Sequence, residues 1–294
     1  MKKILITGKS SYIGLALAAW LARWPDAYEA DLLSLRDGTW QAKDFSSYDA
    51  VVHVAGIAHQ PGASTEQHKQ INQDLAIAVA EKAQRDGVRQ FVFMSTMAVY
   101  GMTDTMKGKN EITEGTVPQP VTSYGISKYA AENAILALSA GTDFSVCVVR
   151  APMVYGPNCP GNYSRLRRLP LSFPFVPSLI PALENERSAI YIDHLCACLR
   201  LVLDSNHEGV VCPRDREAFC TAQVLGWIAE AQGRSSRKSA FLGAGCRTLA
   251  HLFPLFAKVF GNLSYAEDLF GFPCTAYNQH SLQEAIQVTE ADWR

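Results

Sequence analysis

The sequence predicts an α/β fold: a doubly wound parallel sheet followed by a smaller C-terminal α/β lobe. Three observations carry that expectation. Short apolar β-branched runs recur through the first half of the chain, helix-patterned segments separate them, and after residue 150 proline becomes frequent. With 294 residues and 48% hydrophobic composition, the chain is long enough for one large domain, or a main domain with a lobe, around a substantial core.

Taken in order, Lys2–Thr7 is an unbroken apolar run of the kind that parallel strands buried on both faces show. Tyr12–Trp24 reads as a helix, with apolar residues at 13, 17, 20 and 21 and Pro25 just past its end. Val51–Ala55 is a second buried strand, Gln70–Arg85 a helix ended by Asp86-Gly87, and Gln90–Met94 a third strand. Ser127–Leu138 follows as a helix closed by Ser-Ala-Gly, then Ser145–Arg150 as a fourth strand. Strands alternating with amphipathic helices mean βαβ units and helices on both faces of a parallel sheet. The segment Pro152–Pro181 holds too many prolines for a regular strand or a long helix. Beyond it lie an apolar stretch at Ala189–Ile192, a helix at Leu195–Asp204, and helices near 221–232, 247–260 and 281–292. The reading is a Rossmann-like domain over residues 1–150 and a smaller lobe over 151–294, packed around a cleft, with the chain able to return to the main sheet.

Charge excludes some classes. Against 28 acidic residues stand 27 basic ones, a net charge of −1, so the chain as a whole lacks the footprint of a nucleic-acid or anionic-membrane binder. Local basic clusters are few: Arg165, Arg167 and Arg168, then Arg234, Arg237 and Lys238. No stretch reaches the ~18 apolar residues of a membrane span. The apolar run near the N-terminus stops at Thr7-Gly8, too short for a secretory signal. Eight scattered cysteines without a Cys-x-x-Cys pair suit reduced, buried thiols, and a cytoplasmic protein is expected. The seven histidines show no metal-ligand spacing, and no metal is expected.

Three motifs carry chemistry. Thr7-Gly8-Lys9-Ser10-Ser11-Tyr12-Ile13-Gly14 joins the first strand to the first helix. Glycines there let backbone approach a pyrophosphate, whose charge then sits at the helix N-terminus. Tyr124 and Lys128, at i and i+4, share a helical face, so an ammonium can lie near a phenol. A phenol of pKa ~10 is a poor acid–base group near neutrality unless a cation lowers that value. Phe91-Val-Phe-Met-Ser-Thr96 places a hydroxyl at the C-terminal end of a parallel strand, where such sheets bind ligands. The competing reading for Thr96 is a local backbone hydrogen bond.

In this order along the chain, the three motifs resemble those of the extended short-chain dehydrogenase/reductase superfamily, in its nucleotide-sugar epimerase/dehydratase branch. His53-Val-Ala-Gly56, Asn72, the segment Arg150-Ala-Pro-Met-Val-Tyr-Gly-Pro157, and Arg187-Ser-Ala-Ile-Tyr-Ile-Asp193 match further family blocks. The resemblance spans nearly the whole chain and implies a division of roles. Tyr124 would be the general acid/base at a sugar oxygen, Thr96 would hydrogen-bond the same oxygen, and Lys128 would bind the nicotinamide ribose and depress the tyrosine's pKa. Gly8, Ser11, Tyr12, Ile13 and Gly14 would cradle the pyrophosphate, with His53, Ala55, Gly56 and Asn72 lining the cofactor. Arg187 and Asn162 would hold a nucleotide diphosphate, a surface ion pair and an ordinary turn being the competing readings for them. A homodimer through helices flanking the Tyr-Lys segment is expected by the same analogy.

Departures narrow the expectation. Related dehydratases carry an Asp-Glu pair directly after the catalytic Thr; here Met97 and Ala98 stand there and cannot transfer protons. Ser11 replaces the middle glycine of the turn, and Met153 an Asn expected before Val-Tyr-Gly-Pro. Between the first helix and Val51 the chain is short, and Asp31 through Asp44 must supply the second strand. If Ser34 ends that strand, Arg36 and Lys9 lie nearby, a set that leans toward the 2′-phosphate of NADP(H) over NAD. The implied function is an NAD(P)-dependent 4-epimerase or 4-ketoreductase of a UDP-linked sugar in bacterial polysaccharide precursor synthesis. The alternative is a non-catalytic dinucleotide-binding sensor or subunit of the same fold.

Overall fold

The computed structural model describes residues 1–58, 62–103, 105–106, 108–169, 178–250, 254–267 and 269–293, the side chains of 178, 249–250 and 254–256 excepted. Pro170, Pro174 and Pro177 of the proline-rich segment and His59 lie outside the described residues.

Lys2–Thr7 (β1) opens the chain and is buried from Ile4 onward. Tyr12–Leu21 (α1) follows, ending before Trp24; Arg23 and Arg200 stack on the Trp24 ring in the turn beyond. The second strand, Tyr28–Leu33 (β2), begins earlier than the sequence suggested, directly after the Pro25 turn. A single 3-10 turn at Thr39–Gln41 then leads to Ala50–His53 (β3), in place of a longer excursion. Thr65–His68 (α2), a π-helical stretch at Lys69–Asp74, and Leu75–Arg85 (α3) run as one helical rod, starting five residues before the expected Gln70. Its signal lay in Ser64-Thr-Glu-Gln67, a capping box in which the Ser64 hydroxyl accepts from the Gln67 amide and the Gln67 side chain returns to Ser64. Gln90–Thr96 (β4), the short Glu111–Ile112 (β5), Ser123–Ala137 (α4) and Ser145–Ala151 (β6) complete the first half.

The lobe is built from short pieces, as its prolines require: Met153–Tyr155 (β7), Asn162–Leu166 (α5), Ser178–Pro181 (β8) and Ala189–Tyr191 (β9). Ile192–Ser205 (α6) leads to Gly209–Val211 (β10), Thr221–Ala231 (α7) and Ser236–Ser239 (β11). Over the expected 247–260 helix the described residues form Ala240–Ala250 (α8) and Pro254–Phe260 (α9), with 251–253 outside the described residues. Ser264–Tyr265 (β12) and Leu282–Ala291 (α10) close the chain.

Six strands form one parallel sheet in the order β10-β6-β4-β3-β1-β2. Its strand β10 comes from beyond residue 150, so the chain does return to the main sheet. Strand β1 lies between β2 and β3, with Thr7 opposite Leu33 on one side and His53 on the other. The chain leaves β1 in one direction and returns on the other, and at such a switch point the ends of the strands open a crevice. One face of the sheet packs on α1, α6 and α10 in the largest core cluster; the other packs on α3 and α4.

Candidate active site

At the end of β1 the chain turns at Gly8, whose φ is +87°. A side chain there would put its Cβ 3.1 Å from the Ala55 backbone, so both the turn and the close approach require glycine. The amides of Gly8 and Lys9 donate to the Leu33 carbonyl at 2.9 and 3.2 Å, tying the turn to the end of β2. Ser11, where a glycine was expected, has an ordinary extended backbone and caps α1, its hydroxyl accepting from the Gly14 amide at 2.9 Å. The first-turn amides of Tyr12 and Ile13 have no intrahelical acceptor, which makes this end of α1 suited to an anion. The bare backbone cradle at Gly8 and Ala55 together with this helix end fits a dinucleotide pyrophosphate. The Tyr12 phenol turns away, toward the lobe: a Cβ on Gly156, itself at φ +151°, would lie 2.5 Å from it. Its hydroxyl is buried without a hydrogen-bond partner among the described residues.

Ser34 follows β2 directly, and its hydroxyl accepts from the Arg36 amide at 3.3 Å. Asp31 lies within the strand and accepts the Tyr48 hydroxyl. The position next to the Gly turn is therefore held by a serine and an exposed arginine, not by a carboxylate.

On the other side of β1, His53 is fully buried, its Nδ1 3.0 Å from the Thr7 hydroxyl and its ring beside Phe91 and Phe93. Burial, and then the Lys128 charge, push its pKa down to about 3, so the imidazole is neutral. The loop after β3 is clamped by Asn72 of the π stretch, which is fully buried. Its Oδ1 accepts from the Ile57 amide at 2.8 Å and its Nδ2 donates to the Ile57 carbonyl at 3.0 Å. A Cβ on Gly56 would stand 2.9 Å from Asn72 Oδ1 and 3.4 Å from Lys128 Nζ. Glycine is what lets this loop lie against the lysine.

Helix α4 starts four residues before the expected Ser127 because Thr122 caps it, accepting from the Gly125 amide at 3.1 Å. Tyr124, Lys128 and Glu132 then fall on one stripe of the helix. The Tyr124 phenol lies beside the side chain of Thr96 at the end of β4. Burial pushes that phenol up to about 12, with the Thr96 hydroxyl opposing. The resemblance assigned the lowering of this pKa to Lys128; here Thr96 is the group that lowers it. The Lys128 ammonium is buried one turn deeper, donating to the Met94 carbonyl at 2.8 Å and lying 4.5 Å from the centre of the Phe93 ring. Burial brings its pKa down to about 8 against the pull of Glu132.

Glu132, which sequence reasoning missed, is fully buried and pairs with Arg150 of β6 at 2.7 Å. It also accepts the Ser95 hydroxyl, while Arg150 reaches the Tyr100 hydroxyl at 2.9 Å. Its i+8 spacing from Tyr124 was the available signal. This network fixes α4 against β4 and β6, and with it the heights of Tyr124 and Lys128. His68 was also missed; its ring packs 6.1 Å from that of Tyr124.

Arg187 precedes β9 and donates to the Lys258 carbonyl at 2.8 Å. With Arg214 and Glu186 it lines a cavity of about 150 Å³. A larger cavity of about 650 Å³ adjoins it, lined by Lys109, Asn110, Glu186, Lys238 and Asn262 among others. Asn262 joins its walls, donating to the Gly108 carbonyl at 2.6 Å and accepting from the Glu186 amide at 2.7 Å. Asn162 begins α5 as an exposed residue after Gly161. Among the described residues no cluster of His, Cys, Asp and Glu could hold a metal ion, and no helix is long and apolar enough to cross a membrane.

Comparison with known proteins agrees with this geometry. A UDP-glucose 4-epimerase of Vibrio cholerae is 26% identical over 92% of this chain and 86% of its own length. UDP-arabinose 4-epimerase 1 of Arabidopsis thaliana is 32% identical, across 42% of this chain and 29% of the plant protein. The structure of UDP-glucuronic acid 4-epimerase from Bacillus cereus in complex with NAD shares the fold, with a TM-score of 0.73 at 18% identity, covering 99% of this chain and 96% of that one. RMD from Pseudomonas aeruginosa complexed with NADPH does so with a TM-score of 0.74 at 17% identity and 99% coverage of both chains. The profile described as the NAD dependent epimerase/dehydratase family matches residues 4–212, from the first strand through the last strand of the main sheet. A glycine turn on a switch-point crevice, a tyrosine beside a strand-end threonine and one helical turn from a buried lysine, and a match of that extent place the chain in the NAD-dependent epimerase/dehydratase family.

Proposed function

We propose that the protein is an NAD(P)-dependent 4-epimerase or 4-ketoreductase of a UDP-linked sugar, acting in the cytoplasm on precursors of bacterial polysaccharide. The observation that carries the reading is Tyr124 standing beside Thr96, one helical turn from the buried Lys128. The dinucleotide, when bound, supplies reversible hydride transfer at a sugar carbon.

The chain's own groups handle position and protons. Tyr124 gives a proton to, or takes one from, the sugar oxygen; Thr96 shares that oxygen and holds the phenol in place. A phenol standing at about 12 keeps its proton near neutrality, which suits donation to a ketone oxygen. Removing a proton from an alcohol needs added positive charge close by, and Lys128 is the nearest cation on the same helix face. The amides of Tyr12 and Ile13 would hold the pyrophosphate, and Gly56, in the loop that Asn72 clamps through Ile57, would let the ribose approach Lys128. Arg187, Asn162 and the adjoining cavities take the nucleotide diphosphate, a guanidinium being able to grip phosphate oxygens in a fork. Met97 and Ala98 next to Thr96 leave no proton-transferring pair for dehydration.

The names of the relatives support the epimerase. The Ser34–Arg36 position, with Asp31 tied to Tyr48, supports NADP(H) and a reductase. Homodimer formation through the outer faces of α3 and α4 belongs to the same reading. The test is to denature the purified protein and identify what is released. Near-stoichiometric NAD indicates an epimerase that recycles its hydride; an empty chain that binds NADPH more tightly than NADH indicates the ketoreductase. Tyr124→Phe is expected to lower turnover at least ~100-fold with dinucleotide binding intact. Dinucleotide binding with no turnover in the parent would leave the non-catalytic sensor as the better reading, and unchanged turnover in the variant would remove Tyr124 from the chemistry.

A further inference from the structure

Two basic clusters far apart in sequence meet in the lobe. Residues 144–183 and 231–266 contain nine of the chain's 27 Lys and Arg and none of its 28 Asp and Glu. Strands β8 and β11, one from each stretch, pair in parallel with Arg237 beside Leu179 and Lys238 beside Ile180. Ile180 is buried in a small core with Leu183, Leu225 and Phe260, so strand alternation turns Leu179 and Arg237 outward. Leu179 is 55% exposed, and Phe241, near the start of α8, is 86% exposed. The α5 turn with Arg165 and Leu169 comes beside the same sheet: Leu166 packs on that core, and Gln232 donates to the Arg167 carbonyl at 3.4 Å. Arg150 and Arg167 are neutralised by Glu132 and Glu290 and Lys238 turns to the cavity side with Ile180, but Arg165, Arg237, Arg247 and Lys258 stand exposed.

We propose that this face of the lobe docks on an anionic lipid surface. Exposed cations match phosphate head groups, and the side chains of Leu179, Leu169 and Phe241 suit the boundary between head groups and acyl chains. The apolar side chains project singly from a basic surface, which fits a fluid interface better than a shaped groove on a protein. A second copy meeting the first through the same face would set like charges against each other. The near-zero net charge conceals this asymmetry along the chain: the nine cations of these two stretches leave the remaining residues with a net negative charge.

The test is flotation of the purified full chain with vesicles of phosphatidylcholine, with and without about 30% phosphatidylglycerol. Binding to the anionic vesicles is expected at about 0.05 M salt and loss of it at about 0.5 M. Arg237→Glu and Phe241→Ser are each expected to weaken binding about tenfold. Thermal melting and dinucleotide binding, unchanged in both, show that the fold is intact. The proposal is overturned by no binding at low salt, by equal binding to phosphatidylcholine alone, or by variants that bind like the parent. A concentration-dependent dimer lost in Phe241→Ser, with no vesicle binding, would assign the face to a second copy. Salt-sensitive retention on an acidic polypeptide, with no vesicle binding, would assign it to a protein partner.

Discussion

His53 shows what burial does to a titratable group at the end of a central strand. Its ring sits at the switch point between β1 and β3, bonded through Nδ1 to Thr7, while its Nε2 has no partner among the described residues. Its pKa falls from an ordinary 6.5 to about 3, first through burial and then through Lys128. Between those values the unfolded chain takes up a proton that the folded chain refuses. Its contribution to stability is therefore fully present above pH 6.5 and is lost as pH falls toward 3, at roughly 1.4 kcal/mol per pH unit. His53→Asn should flatten that part of the profile. Urea midpoints at about pH 7.5 and 5 should show the parent losing ~1–2 kcal/mol more than the variant. Equal losses would mean that the imidazole is solvated in the native state. Sequence alone pointed to His53 through its neighbours; its neutrality depends on Phe91, Phe93 and Lys128, brought to it from other elements.

Helix α4 shows how an element turns spacing into function. Tyr124, Lys128 and Glu132 descend one stripe from the cleft into the core, Tyr124 beside Thr96 and Lys128 on the Met94 carbonyl, both of β4, and Glu132 on Arg150 of β6. The Tyr-Lys spacing was legible because i and i+4 share a face whatever surrounds the helix. The start of the helix was misjudged because Gly125 disguises the first turn that Thr122 caps. Strand β2 was misplaced for a related reason: Tyr28-Glu-Ala-Asp is too polar to announce a strand, and it becomes one by pairing with β1. Met94 is buried, and nothing local in the sequence says that its carbonyl will meet an ammonium. That lysine is costly to the fold, as its lowered pKa shows. Lys128→Met keeps the volume and removes the buried charge, at the loss of one hydrogen bond. The variant should be as stable as the parent or more stable by about 1–2 kcal/mol, with turnover down at least ~100-fold. Denaturant melts and steady-state rates measure the two together. A strongly destabilised variant would mean that Lys128 serves the fold first.

At the scale of the molecule, the doubly wound sheet was legible because each of its long strands repeats a local pattern, whereas the lobe was not. Its pairs β5–β12, β7–β9 and β8–β11 are two to four residues long and join segments far apart in sequence. What holds the C-terminal segment to the rest is a buried polar clasp centred on Asp215. That carboxylate accepts from the Tyr155 hydroxyl at 2.7 Å and the Tyr191 amide at 3.1 Å, and lies 2.8 Å from His194 Nδ1. On its other side, His194 Nε2 accepts from the amides of Gln279 and His280, both at 3.1 Å. Those acceptances fix the tautomer: Nδ1 carries the hydrogen and donates it to Asp215. The imidazole thus links the first strand pair of the lobe to the residues that enter α10, and α10 packs on α7 and the main core. His194→Phe keeps the ring but takes a donor from the buried Asp215 carboxylate and the acceptor from two part-buried amides, at an expected cost of about 1–3 kcal/mol. Tyr155→Phe removes one of several donors to Asp215 and should cost nearer 1 kcal/mol. Amide hydrogen exchange distinguishes a clasp from simple packing. In His194→Phe the amides of Gln279 and His280 should exchange much faster, while the Lys3 amide, bonded to Asp49 at 2.8 Å in the main sheet, should keep its relative protection. Uniform acceleration at all three would mean that His194 stabilises the molecule as a whole and does not fasten this segment.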